Sequence, residues 1–360
     1  MDSPSVFRRP PARIPGAAPA PPSPPAAPPA APPAPRPSPE QAVHEQADHL
    51  DPKETHVSRR GWVLFALMSV IWGIPYLLIK VAVGGVPVPV LVFARTAIGA
   101  ALLLPLAIRG GQLAMVRRYW RPVIAFAFLE ILAPWWLLSD AERRLTSSTS
   151  GLLIAAAPIL GVALARLSGG SERLGRARWT GLVIGLAGVA VLAGPHLGGG
   201  DAWAMGEVLL TALCYSIAPL VADRHLRDLP TIPLTAACLT LAALVYTPAA
   251  IWTWPSAMPS WQVLAALGGL GVVCTGLAFV VFVELIKEAG PSRALVSTYM
   301  NPAVAIVAGV LILDEPLTAL IVVSFALILG GCVLATRAER EPHAPAAGPP
   351  ERAEELEVRS

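Results

Sequence analysis

Residues 297–318 read STYMNPAVAIVAGVLILDEPLT, and residues 153–174 read LIAAAPILGVALARLSGGSERL. Both stretches meet a proline (Pro302, Pro158), run on through apolar residues and end near an acid (Glu315, Glu172). The two prolines lie 144 residues apart, and steps of 143 or 144 pair further positions: Trp72 with Tyr215, Asp140 with Glu284, Arg143 with Lys287. A repeat of this length decides the organisation of the chain, because each copy is one structural unit. Each copy holds room for five membrane spans, and an odd number of spans forces the second copy to enter the bilayer upside down. Inverted repeats of this kind are a signature of secondary transporters.

Composition agrees with a chain that lives in lipid. It is 54% hydrophobic and 14% charged, with mean hydropathy +0.60, outside the range of ordinary soluble domains. Net charge is +3, too small and too scattered for nucleic acid. Cys214, Cys238, Cys274 and Cys332 stand singly in apolar runs, so neither a disulfide framework nor a zinc site is expected. No motif for a hydrolase or a nucleotide-driven pump occurs, and no cofactor is expected.

Residues 1–58 are dominated by Pro and Ala before turning polar; such a segment favours extended conformations without a core. No apolar region follows the early arginines, which argues against a signal peptide. The stretch 338–360 reads as a second solvated tail. Between them lie ten candidate spans, near 61–83, 87–108, 121–141, 147–167, 178–194, 203–222, 231–252, 260–286, 292–313 and 316–336. Each approaches the ~20 residues that a helix needs to cross a bilayer, and backbone groups in hydrocarbon must be bonded internally. The expected fold is an all-α polytopic membrane protein. Ten transmembrane helices form two inverted five-helix repeats (61–194 and 203–336), with a disordered Pro/Ala-rich N-terminal tail and a short disordered C-terminal tail. Basic residues crowd alternate connectors, such as Arg109, Arg117, Arg118 and Arg121 or Arg166, Arg173, Arg176 and Arg178, while the opposite connectors carry only Arg143 and Arg144. The positive-inside rule then places both termini in the cytoplasm of a plasma-membrane protein.

These features resemble the drug/metabolite transporter superfamily, in the group whose halves are called EamA domains. The residues that carry the resemblance are Trp72-Gly73 with Lys80, Arg95, and the Pro158…Ser171-Glu172-Arg173-Leu174 and Pro302…Asp314-Glu315-Pro316-Leu317 stretches. It covers about 61–336 and leaves out both tails. It implies a central cavity between the halves, through which small metabolites move, often outward, by alternating access. The second half departs from the pattern: Tyr215-Ser216 replaces the Trp-Gly pair, and Asp223 stands where Lys80 would be.

Ionisable groups within hydrocarbon are costly and so mark functional candidates. Arg95 lies about 12 Å into its span at 1.5 Å per residue, and Glu130 sits near the middle of the third. They are expected to face the interior and meet one another or the substrate, either as a structural ion pair or as a binding pair. Glu130 in an apolar pocket would carry a proton. Pro134 is expected to kink its helix by leaving the carbonyl of Glu130 without a donor. Of Trp135 and Trp136, one anchors at the interface and the other faces the cavity. Trp72 with Tyr76, and Tyr215 in the second half, offer aromatic walls; Tyr299 and Asn301 offer polar groups where Pro302 loosens the helix. Asp140, Glu284, Glu172 and Glu315 lie at span ends, where they either cap and pair at the surface or act as gates between the halves. Lys80 could snorkel to the interface.

The partners expected are a small-molecule substrate and the lipid bilayer. Small-residue faces serve helix packing as well as dimers, so a homodimer stays open. The leading reading is an exporter of small organic metabolites, such as amino acids or amphipathic compounds, with proton coupling through Glu130. Two alternatives from other classes are an intramembrane lipid-modifying enzyme and a transport-inactive scaffold recruiting partners through the proline-rich tail.

Overall fold

A computed structural model describes residues 58–167, 176–197, 201–290, 294 and 296–336. The proline-rich tail, Glu172 and the C-terminal tail lie outside the described residues. Every regular element described is helical. The helices are α1 (Arg59–Val83), α2 (Val88–Arg109), α3 (Trp120–Ala141), α4 (Ser147–Leu164), α5 (Arg176–Leu197), α6 (Ala202–His225), α7 (Thr231–Trp252), α8 (Trp261–Ala289), α9 (Ser297–Leu313) and α10 (Ala319–Thr336). Seven are long and apolar enough to cross a bilayer, and the apolar stretches of α5, α9 and α10 are shorter. A short helix, Leu113–Arg118, joins α2 to α3.

Local chemistry sets the boundaries. Pro87 and Pro230 stand at the matched N-caps of α2 and α7, where a missing N–H costs nothing and the ring presets φ. Thr146 caps α4 by accepting from the N–H of Thr149, and Ser260 does the same for α8 from Val263. Asp314 ends α9 in the left-handed region at φ 53, and the N–H of Glu315 reaches back to the carbonyl of Gly309 at 3.1 Å. That tight reversal aims the next side chain back along the bundle.

The packing follows a pseudo-twofold relation between the halves. Helix α2 packs along α7, α4 along α9 and α5 along α10, each beside its own repeat mate. The remaining pairs cross over, α1 against α8 and α3 against α6, as exchange of the halves requires. In the α5–α10 seam the two backbones approach directly. A methyl group on Gly331 would lie 2.4 Å from the nitrogen of Gly185 and 2.7 Å from the carbonyl oxygen of Gly181, so only glycine admits this backbone approach.

Four spans are interrupted at matched places. Helix α4 breaks at Ala155-Ala156 just before Pro158, and α9 opens as a 3₁₀ turn, Ser297–Met300, just before Pro302. Proline cannot donate to the preceding turn, and at the α4 break side chains of other helices bond carbonyls beside it. The thiol of Cys332 donates to Ala155 and the hydroxyl of Ser216 to Ala157, at 2.9 and 2.7 Å. In the third spans, α3 widens into a π-turn at Phe128–Leu132 and α8 at Gly269–Leu277. Pro134 stands just after the first of these widened turns. The turn before it expands, the N–H of Ala133 bonds Phe128 five residues back, and the hydroxyl of Tyr246 donates to the carbonyl of Leu132 at 2.7 Å.

Candidate functional site

Two clusters of polar groups lie inside the apolar bundle. The first is central. Arg95, 7% exposed, projects from α2 with its guanidinium stacked 3.6 Å over the ring of Trp135 from α3. Its Nε donates to the hydroxyl of Thr275 at 3.2 Å, and that hydroxyl donates to the carbonyl of Leu270 at 2.9 Å. The π-turn of α8 supplies both groups, in keeping with the frequent placement of such turns at functional sites. Tyr76, Tyr215, Cys274 and Glu142 lie within electrostatic reach of Arg95. No carboxylate pairs with it among the described residues.

Glu130 sits in the π-turn of α3 and keeps partial exposure deep within the bundle. Cys214 and Tyr215 of α6 and Cys238 of α7 are within its electrostatic reach, so its carboxyl faces the second half. The expected ion pair between Arg95 and Glu130 does not form. The guanidinium is held instead by the indole face and the threonine, an arrangement worth about 2 kcal/mol or more for a desolvated cation–π contact. Of the two adjacent tryptophans, Trp135 is buried beneath Arg95, and Trp136 stacks on Tyr246 with centroids 5.8 Å apart.

Trp72 does not join this group. It packs into the α1–α8 seam, with ring centroids 4.9 Å from Phe282 and 6.4 Å from Phe279, where aromatic edges and faces complement one another. A turn at Ile74 divides α1 between Trp72 and Tyr76, so the two rings serve different surroundings, and only Tyr76 reaches the centre. Tyr299 packs against the main core. The side-chain oxygen of Asn301 is buried without a hydrogen-bond partner among the described residues.

The second cluster lies where α1 ends, α3 turns into α4 and α9 turns into α10. The first backbone N–H groups of a helix lack internal acceptors and carry partial positive charge. At α4 these groups belong to Ser147 and Ser148, and both reach the carboxylate of Glu315, at 2.7 and 3.0 Å. The hydroxyls of the same serines also donate to it, that of Ser147 at 2.9 Å. Glu315 therefore clasps the second half to the first, with no arginine involved among the described residues. Lys80 does not snorkel: its ammonium donates to the carbonyls of Glu142 and Leu145, both at 2.7 Å. Beneath the clasp, Glu142 is fully buried, and neither carboxyl oxygen has a hydrogen-bond partner among the described residues. Sequence reading passed over Glu142, Thr275, Ser147 and Ser148. Glu142 stands beside Arg143 and Arg144 in what reads as a solvated connector, and hydroxyl residues in apolar runs carry no signal of their own.

The matched acids Asp140 and Glu284 take part in neither cluster. Asp140 pairs with Arg143 at 3.2 Å, and Glu284 with Lys287 at 2.8 Å and with Arg60 of α1 at 3.0 Å.

Comparison with known proteins places this architecture. The model of the EamA-like transporter family matches residues 59–194 and again residues 202–337. The chain is 27% identical over 276 residues to the uncharacterized inner membrane transporter YedA of Escherichia coli (strain K12), covering 74% of this chain and 88% of that protein. It is 24% identical to the uncharacterized transporter YvbV of Bacillus subtilis (strain 168), covering 78% and 93%. A probable terminal-alkyne amino-acid exporter of Streptantibioticus cattleyicolor is 27% identical over 292 residues, covering 78% and 94%. A crystal structure with 22% identity superposes with a TM-score of 0.57 over 77% of this chain and 96% of the other, which speaks for the fold. With its two matched halves and its crossed helix packing, the chain belongs to the EamA-like transporter family.

Proposed function

We propose that this protein is a secondary transporter that exports small amphipathic or zwitterionic metabolites, amino acids among them, by alternating access. In this reading it spans the cytoplasmic membrane with both termini inside, as the basic connectors require. The observation that carries the substrate class is the central cluster. Among the described residues, a guanidinium without a carboxylate partner and a carboxyl without a cation partner, Arg95 and Glu130, stand on neighbouring helices with Tyr76, Tyr215 and Trp135. Arg95 would receive an acidic group in the bidentate manner that suits guanidinium, the aromatic rings the apolar body, and Glu130 an amine or a proton. The amino-acid exporter among the relatives supports the same class.

The test is counterflow in sealed liposomes, with a panel of labelled amino acids and small metabolites and with or without a pH gradient. Counterflow of at least one zwitterion is expected, accelerated by the gradient in wild type and not in Glu130→Gln. A full wild-type gradient response in Glu130→Gln would overturn the coupling role of Glu130. Absence of counterflow for every panel member, beside a working control carrier, would overturn the substrate class.

A further inference from the structure

We propose that Glu142 is a second proton-binding site, occupied while the clasped end of the molecule is closed. The proposal rests on the transporter reading for its purpose and on the second cluster for its evidence.

Glu142 follows directly on α3, at the junction where α1, α4 and the α9–α10 connector meet. The titratable and charged groups facing it are Lys80 and Tyr76 from α1, Arg95 from α2 and Glu315 from the α9–α10 connector. From helix α4, the hydroxyls of Ser147 and Ser148 are already committed to Glu315. Lys80 is the cation with the larger influence on Glu142, yet two of its three N–H groups go to backbone carbonyls past the end of α3, and it forms no ion pair with the carboxyl among the described residues. Among the described residues Glu142 thus has no donor for either carboxyl oxygen, and it shares its neighbourhood with a second carboxylate. An ionised carboxylate in that position loses its hydration and is repelled by Glu315, and the charges of Lys80 and Arg95 offset only part of that cost; the neutral acid avoids it. The two carboxyls divide the work: Glu315 accepts from four donors and holds the halves together, while Glu142 carries the proton.

Opening of this end separates Glu315 from Ser147 and Ser148 and admits water to Glu142, and the proton leaves to the bulk. Reclosure requires Glu142 to take a proton back from the same side. Proton binding and closure are then linked in both directions. Tyr76 lies within reach of both Glu142 and Arg95, and Tyr215 within reach of both Arg95 and Glu130, so polar groups connect this site with the central cluster.

The test is infrared difference spectroscopy of the purified full-length protein in liposomes at neutral pH. The readout is the carbonyl stretch of a protonated carboxylic acid. Wild type is expected to show a carboxylic-acid band that Glu142→Gln removes in part and that Glu142→Asp shifts in frequency. Glu142→Asp keeps an acid at the site and decides alone should the glutamine variant fail to fold. Glu315→Gln removes the neighbouring negative charge and loosens the clasp, so it is expected to diminish the same band. A spectrum unchanged by Glu142→Gln and Glu142→Asp would show Glu142 to be ionised and overturn the proposal. A band unaffected by Glu315→Gln would overturn its link to closure. Counterflow is measured on the same vesicles; its failure in wild type would strike the transporter reading, whereas the infrared band would still report whether Glu142 holds a proton.

Discussion

The second helices of the two halves lie side by side, and at the matched position one carries Arg95 and the other Cys238. The third helices both widen into π-turns, and there the matched residues are Glu130 and Cys274. Each charged residue of the first half faces the cysteine that replaces the other charge in the second: Arg95 lies near Cys274 and Glu130 near Cys238. The backbone keeps its twofold relation down to the irregular turns, while the ionisable chemistry is gathered on one half. A bundle with charges on both halves would hold four ionisable groups at its centre, each with its desolvation cost. Concentrating them gives an asymmetric site that can hold an asymmetric molecule in one orientation.

The largest expected effect breaks this asymmetry at its cation. Arg95→Ala removes the group proposed to meet an acidic function, and truncating one partner of a buried charge pair costs about 2–5 kcal/mol. Apparent substrate affinity in counterflow should fall from about thirtyfold to several thousandfold at about 1.4 kcal/mol per tenfold. Arg95→Lys should recover little, because an ammonium neither stacks on Trp135 nor presents a planar fork. Cys238→Ala, at the matched position, is expected to leave affinity within about twofold of wild type, since it removes only a small apolar group. Comparable losses in the arginine and cysteine variants would contradict the division between halves.

A second comparison sets Gly73 against Ser216, which occupy matched positions in α1 and α6. A Cβ on Gly73 would lie 2.4 Å from Cβ of Val304 in α9, whereas Ser216 has room for its hydroxyl, which reaches the carbonyls of Ala157 and Ala212 at 2.7 Å each. Ala157 and Asn301 are themselves repeat mates at the two proline breaks, so the same helix crossing is close and glycine-lined in one half and hydrogen-bonded in the other. Gly73→Ser is expected to destabilise by about 1–3 kcal/mol through overpacking. Ser216→Gly should cost about 0.5–1.5 kcal/mol for one lost hydrogen bond. Thermal melting in detergent reads both, and a reversed order would mean that the crossing in the first half is looser than this packing implies.

These comparisons also separate what the residues announce from what only folding reveals. The repeat, the helical class and the interruptions at Pro158 and Pro302 are written in residue types whose backbone consequences are fixed, because proline has no N–H wherever it stands. The π-turns carry no such mark. Phe128–Leu132 is apolar but for Glu130, and Gly269–Leu277 but for Thr275, and neither pattern announces an extra residue in the turn. Which face a side chain takes was legible for Arg95, where burial of a charge demands a polar interior. It was not legible for Trp72, since an aromatic ring is equally at home in a seam or at a cavity. Glu142 was hidden by its sequence neighbours. Its burial is made by Lys80, about sixty residues earlier, and by the α9–α10 connector, more than 160 later.

The smallest expected effect concerns the remaining matched pair, Asp140 and Glu284, read from sequence as gates. Each forms an ion pair with a basic residue three positions on, Arg143 and Lys287, within its own helix end. Exposed pairs of this kind contribute little and are screened by salt, so Asp140→Asn is expected to leave melting temperature and counterflow at wild-type values. Glu284 differs in one respect, since it also bridges to Arg60 of α1 across the two halves. If that bridge were broken and remade in every transport cycle, Glu284→Gln would change the counterflow rate and its dependence on ionic strength. If it is only an exposed pair, the variant matches Asp140→Asn in both. The exposure of both partners, with the Arg60 side chain 66% accessible, favours the second outcome. Equal behaviour of the two variants would assign closure to the buried clasp at Glu315, where four hydrogen bonds are shielded from salt. A tenfold or greater change in Glu284→Gln alone would instead place a second gate at the opposite end.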